Sequence, residues 1–249
     1  MEDNRYTIGG SLESALKGEF TFSAESVLKE GWEITKNGKS VLLLGVLLIF
    51  WITAGFSLFL YQFTEFGKNP EGETAFLNQF LMEASLTVLL APFFAALEMT
   101  GISNSIRAIS RPSFIFHFVP KTLILSVASL LVGFVVQIGF AFLILPGIYL
   151  LMASSFTIPL ILDKGFTPVR ALVTSISVVN RRLLEFMKVF GFFALLGVIC
   201  AMTFGIALIW TLPFYYNVKG VLYRDIFGVQ VKVLPNNNEK LKSDNIFHA

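Results

Sequence analysis

The chain of 249 residues is 55% hydrophobic and only 14% charged, with a mean hydropathy of +0.71. Soluble globular chains are roughly 25% charged, so a water-soluble domain is excluded, and apolar runs beyond the ~18 residues of a bilayer crossing point to a polytopic membrane protein. The net charge of +2 decides nothing as a total, and Cys200, the single cysteine, excludes an intramolecular disulfide and a thiol pair for a metal.

Residues 1–40 carry no continuous apolar stretch and no secretory signal with its cleavage site, so they are expected as a polar cytoplasmic segment. An amphipathic helix is predicted over 23–36, with Ala24, Leu28, Trp32 and Thr35 on one face and Glu25, Lys29, Glu33 and Lys36 elsewhere. Such a helix lies in the membrane interface or packs on the bundle. The stretch NGKS at 37–40 ends like a phosphate-binding loop, but the required glycine five positions before Gly38 is Glu33. Lys36 and Lys39 are expected at lipid headgroups instead.

About six spans follow, at 41–61, 80–103, 122–145, 147–162, 189–208 and 209–223. The stretch 122–162 holds no charged residue or histidine. As one helix it would be about 60 Å long at ~1.5 Å per residue, twice the ~30 Å hydrocarbon core, so it must turn back. Pro146-Gly147 is the predicted turn, because proline cannot continue the hydrogen-bond ladder and glycine tolerates left-handed dihedrals. A second amphipathic helix is predicted over 167–184, with Leu172, Ile176, Val179 and Leu183 opposite Arg170, Thr174, Ser177 and Arg181. The stretch 189–223 is short for two spans. It reads as two spans turning near Trp210, Thr211 and Pro213, or as one tilted span with an interfacial segment.

Charge distribution favours six. Every Lys and Arg except Lys68 then falls on one side of the membrane, and the positive-inside rule makes that side the cytoplasm, with both termini there. The outer loop, 62–79, carries Glu65, Glu71 and Glu73. The even-numbered spans echo one another, with Pro92, Pro159 and Pro213 each followed by Gly101, Gly165 and Gly220. The predicted fold is therefore an all-α polytopic bundle of three helical hairpins with cytoplasmic amphipathic helices. Its parts are the N-terminal segment 1–40, one transmembrane domain 41–224, and a largely disordered cytoplasmic tail 225–249.

The run Val136-Gln137-Ile138-Gly139, Pro146-Gly147-Ile148, Pro159, Asp163-Lys164, Ala171 and Ser175 resembles the YciC-like family of uncharacterised bacterial inner-membrane proteins. It is also similar to the membrane domain attached to some glycerophosphodiester phosphodiesterases. The resemblance covers about a fifth of the chain in detail. It implies a multi-span protein of the bacterial inner membrane and brings no active site with it. The longer polar N-terminal segment and the charged tail depart from that pattern.

Chemistry-bearing motifs are scarce. His117 and His248 are far apart, no GxSxG elbow occurs, and no basic stretch interleaves with aromatics as a nucleic-acid groove would. No catalytic, cofactor or metal site is expected, and no nucleic-acid partner. Polar groups inside spans are the default functional candidates, here Glu98, Gln137 and Lys219. Glu98 shares a face with Ala91 and Ala95; Gln137 lies on the stripe Ser129, Gly133, Gln137, Ala141. They read as a polar path or headgroup site, or as structural bonds between helices with Lys219 snorkelling. The second is favoured, because a transport path needs more buried polar groups. Gly197, Ala201 and Gly205 form a small-xxx-small run, a homo-oligomer seam or, by preference, an internal packing seam. Trp32, Tyr61, Trp210, Tyr215 and Tyr223 suit the interfacial belts. The expected function is non-enzymatic: a scaffold, assembly or envelope-homeostasis role through contact with lipids, other membrane proteins or itself. The alternative is a transporter or lipid-handling protein with a cavity between hairpins.

Overall fold

The computed structural model describes residues 5–63 and 73–232. Strand β1 (Arg5–Ile8) is followed by helices α1 (Leu12–Lys17), α2 (Ala24–Gly38), α3 (Ser40–Phe63) and α4 (Glu73–Ser105). Two 3-10 turns, Pro112–Phe116 and Val119–Lys121, lead to α5 (Thr122–Phe142), α6 (Ile144–Ala153), α7 (Thr157–Lys164), α8 (Pro168–Arg181), α9 (Leu183–Met202), α10 (Leu208–Phe227) and strand β2 (Val229–Lys232). The expected outer-loop residues Lys68, Glu65 and Glu71, the tail from 233 and His248 lie outside the described residues.

The chain is all-α apart from one antiparallel pair, in which Tyr6 stands opposite Val231 and Ile8 opposite Val229. This pair corrects the expected domain limits: residues 225–232 finish α10 and form β2, with Val229 and Val231 fully buried. Five segments are long and apolar enough to cross a membrane: Ser40–Gln62, Gln79–Ser105, Pro112–Phe142, Ile144–Lys164 and Leu183–Met202. Their outward faces are apolar. Trp51 and Leu58 of α3, Leu123 and Phe134 of α5, and Leu195 and Met202 of α9 are all exposed. Such a continuous apolar surface is costly in water and neutral in lipid.

The last helix is different in kind. α10 carries Lys219, Arg224 and Asp225, and every residue from Tyr216 to Tyr223 is buried. Eight consecutive residues cover all sides of a helix with 3.6 residues per turn, so this part of α10 is enclosed by its neighbours, while Leu208, Ile209 and Trp210 at its start are exposed. Its enclosure rests on glycine. A Cβ on Gly101 of α4 would overlap the Tyr216 carbonyl of α10, and one on Gly220 would overlap the Gly101 carbonyl. A Cβ on Gly31 of α2 would overlap the Val218 side chain. Backbones meet here because nothing stands between them.

Three sequence expectations about turns are corrected. The break after α5 is at Leu143, in extended conformation (φ −163°, ψ 160°), and Pro146 and Gly147 are both inside α6. The reason is steric. A proline ring excludes the carbonyl four residues earlier from helical geometry. For Pro146 that carbonyl belongs to Phe142, where α5 ends. Gly147 serves a different need: a Cβ there would overlap the Phe140 ring, and Gly139 faces Gly147 and Leu150 across the α5–α6 contact. The fourth predicted span is likewise interrupted, between α6 and α7 at 154–156, and the residue four before Pro159, Ser155, lies in this break. Finally, the reversal before α10 falls at 203–207, where Phe204 (φ 50°) and Gly205 (φ 85°) are left-handed. Trp210, Thr211 and Pro213 are helical.

Both predicted amphipathic helices bury residues against the bundle, on faces shifted from the expected ones. α2 buries Ala24, Val27, Gly31 and Thr35 and leaves Trp32 40% exposed. α8 buries Ala171, Leu172, Thr174, Ser175, Val178 and Val179, so Thr174 is not on its polar face. The proline–glycine echo divides by role. Gly101 and Gly220 touch each other, whereas Gly165 is a left-handed C-cap of α7 (φ 66°).

Candidate functional site

Two of the three intramembrane candidates meet. Lys219 Nζ of α10 lies 2.7 Å from Glu98 Oε1 of α4, and the two side chains are 7% and 15% exposed. Lys219 therefore does not snorkel. The Gly101–Gly220 contact draws α4 and α10 together and brings the ammonium onto the carboxylate. Glu98 Oε2 is buried and without a hydrogen-bond partner among the described residues. Ala91 and Ala95, on the same face of α4, are buried as the sequence implies.

Beside this pair runs a chain of neutral polar groups. Thr35 Oγ1 donates to Gly31 O (2.7 Å) and accepts from Asn217 Nδ2 (2.9 Å). Asn217 Oδ1 in turn accepts from Asn104 Nδ2 (2.9 Å), which also reaches Gly38 O (3.3 Å). The chain crosses from α2 through α10 to α4. Asn217 and Thr35 are almost fully buried, and each finds partners. A satisfied buried network of this kind holds helices in one register.

Where α2, α4 and α10 meet beyond this network, Arg224 closes the junction. Its Nη1 and Nη2 form a fork on the Glu30 carboxylate (2.6 and 3.0 Å), and Nη1 also donates to Ser105 O (2.7 Å). Burial opposes the charged guanidinium, but hydrogen bonds to Glu30 and Asp225 outweigh it and raise its pKa. Burial pushes the Asp225 carboxyl up, against the opposing pull of Arg224. A further junction joins α7 to α10. Tyr223 Oη donates to Asp163 Oδ2 (2.7 Å), Lys164 Nζ lies 3.0 Å from the same oxygen, and Lys164 Nζ also donates to Gly228 O (2.8 Å).

Gln137 belongs to none of these. It is exposed and donates to Glu83 Oε1 of α4 (2.8 Å). Glu83 is a charged residue inside a predicted span and was visible on that criterion, yet sequence reasoning passed over it. Asn217, two residues before Lys219, carried the same signal. Thr35 and Asn104 carried none, since both sit at helix ends where polar residues are ordinary.

Ser175 was noticeable only through the family resemblance. Its hydroxyl donates to Ala153 O (2.6 Å) and accepts from Phe156 N (3.2 Å). It thus satisfies two backbone groups at the α6–α7 break, from a buried position on α8.

The small-residue run is corrected. Gly197 and Ala201 are exposed, and a Cβ on Gly197 would meet no atom within 4 Å. Gly205 lies outside α9, in the left-handed turn. The run is no internal packing seam. Cys200 is buried and its thiol donates to Thr211 Oγ1 (3.4 Å), joining α9 to α10. His117 stacks on Phe114 at 5.5 Å. Among the described residues no group of three or more His, Cys, Asp or Glu is placed to hold a metal.

Grooves lie along α2. One of about 480 Å³ opens beside Arg224 and is lined by Glu33, Asn37, Asn104 and Arg107. Another, of about 540 Å³, runs between α2, α9 and α10 and is walled by Leu28, Trp32, Phe192, Leu196, Trp210 and Phe214. Comparison with protein-family models, with curated proteins and with solved structures found no match to this chain.

Proposed function

We propose that the chain is a non-enzymatic integral membrane protein that works through contact with lipids or other membrane proteins. The observation carrying this reading is the α2–α4–α10 junction. Its charged and amide side chains bond from helix to helix: Glu98 with Lys219, Asn217 with Asn104 and Thr35, and Arg224 with Glu30 and Ser105. Backbone contact at Gly101 and Gly220 seals it. A solute path along Glu98 would have to part these helices.

In this reading α10 returns the chain to the side of its first residues, and both termini face the cytoplasm. Two features support this topology. All Lys and Arg except Lys68 fall on one side. β1 pairs with β2, so the two ends of the described chain lie together. The kinship to YciC-like inner-membrane proteins belongs to the same proposal. The groove between α2, α9 and α10 favours lipid handling as a second reading, since its walls are apolar and it opens outward.

The test is ion flux together with native mass spectrometry. Liposomes containing the protein should hold a proton or cation gradient as well as protein-free liposomes do. Protein extracted in mild detergent should retain bound lipid or partner chains. A leak that disappears in a Glu98→Gln, Lys219→Met double variant would replace this reading with transport.

A further inference from the structure

We propose that the groove between α2, α9 and α10 holds an anionic phospholipid, with an acyl chain against its walls and the phosphate on Lys36 and Lys39. This rests on the membrane-protein reading above and adds the ligand class and the residues that would select it.

The walls come first. Leu28 and Trp32 of α2, Phe192 and Leu196 of α9, and Trp210 and Phe214 of α10 enclose about 540 Å³, within the usual size of a small-ligand site. Trp32 packs edge-on against Phe214 at 5.3 Å, which fixes one side. Yet Trp32 and Trp210 remain 40% and 47% exposed. Two half-exposed indoles on one apolar groove suit a chain that lies along them.

The charges come next. Lys36 Nζ stands 5.9 Å from the centre of the Trp32 ring, and Lys39 Nζ stands 5.5 Å from that of Trp210. Each ammonium is thus held over an indole of the groove, as a cation over an aromatic face is. Neither has a carboxylate partner among the described residues. Lys29 is the cation of the lining itself, and Lys36 and Lys39 stand beside it over the two indoles. The acidic member of the lining, Glu25, lies at the other end of α2, about 16 Å from Lys36 at ~1.5 Å per residue. The basic end of the groove is therefore free to receive a phosphate.

Depth supplies the third argument. Lys39 directly precedes Ser40, where the first membrane-crossing segment begins. The two ammonium groups thus sit where that segment leaves the hydrocarbon, at the level of headgroups, and tryptophan favours the same zone. Apolar walls beside cations that have no carboxylate partner among the described residues match an anionic lipid on both counts. A zwitterionic headgroup would bring its own cation to a site already rich in them. A partner helix would leave the lysines without a counter-charge.

Tryptophan quenching by brominated lipid tests this. The chain has three tryptophans. Trp51→Phe removes the one on α3 and leaves Trp32 and Trp210 as reporters. The protein is reconstituted into phosphatidylcholine vesicles containing a small fraction of either dibrominated phosphatidylglycerol or dibrominated phosphatidylcholine. The expected result is several-fold stronger quenching per mole by the anionic lipid. That preference should vanish in Lys36→Gln, Lys39→Gln, both surface changes on a half-exposed helix turn. Equal quenching by the two lipids, or a preference that survives the lysine changes, would overturn the proposal. So would absence of quenching with a co-purifying protein over the groove in native mass spectrometry. Each of these leaves the contact-based function standing, because that reading is decided separately by ion flux.

Discussion

Changing Glu98 to Gln looks harmless from sequence, since an amide replaces a carboxylate of the same shape and still forms hydrogen bonds. The structure predicts otherwise, because the change strands Lys219. At 2.7 Å the attraction between the two charges is about 6 kcal/mol for an effective dielectric of ~20. Burying each ion costs several kcal/mol, so the intact pair contributes little net stability. Removing one partner keeps the desolvation cost of the other and loses the attraction. Glu98→Gln or Lys219→Met alone should therefore cost about 3–5 kcal/mol, a large share of a typical ~5–15 kcal/mol fold. The double variant, with no buried charge left, should return to within about 1–2 kcal/mol of the unaltered chain. Thermal unfolding in detergent and steady-state abundance in membranes would measure all four corners of this cycle. A Glu98→Gln single variant that unfolds within about 0.5 kcal/mol of the unaltered chain would refute the reasoning, for then the pair is not a buried ion pair.

Four further outcomes are expected. Gly101→Ala should lower the unfolding temperature sharply, by an overpacking cost of about 1–3 kcal/mol or more because the clash is with backbone, while Gly197→Ala, which meets open space, should be silent in the same assay. Ser175→Ala should cost about 1–3 kcal/mol, since it leaves the Ala153 carbonyl and the Phe156 N–H unsatisfied, read again as unfolding in detergent. Gly147→Leu should reduce membrane abundance far more than Pro146→Ala, because the former drives a side chain into Phe140 while the latter leaves the α5–α6 contact intact. Asp225 has a folded pKa above its ordinary 3.8, so the folded chain binds more protons between the two values and its contribution to stability falls as pH rises through that window; Asp225→Asn should flatten this part of the unfolding temperature's pH profile.

The membrane class and the all-α fold were legible in the sequence because each depends on local sums. An uncharged stretch such as 122–162 has to cross a bilayer and turn back wherever its neighbours lie. Glu98 and Lys219 stood out for the same reason, as charges among apolar residues. That they bond each other was not legible, nor that Gln137 pairs with Glu83 instead, since those pairings depend on how α4 approaches α10 and α5. The Pro146 break was half legible: proline announces an interruption, but its ring acts on the carbonyl of Phe142, so the chain opens at Leu143.

Glycine shows the limit most clearly. Gly197 looks in sequence as good a packing position as Gly101 or Gly220, yet it faces outward with nothing near it, while the other two bring α4 and α10 backbone to backbone. A residue without a side chain leaves no periodic mark to say which way it points. Its meaning is set by the surface brought against it, and only the tertiary structure supplies that surface.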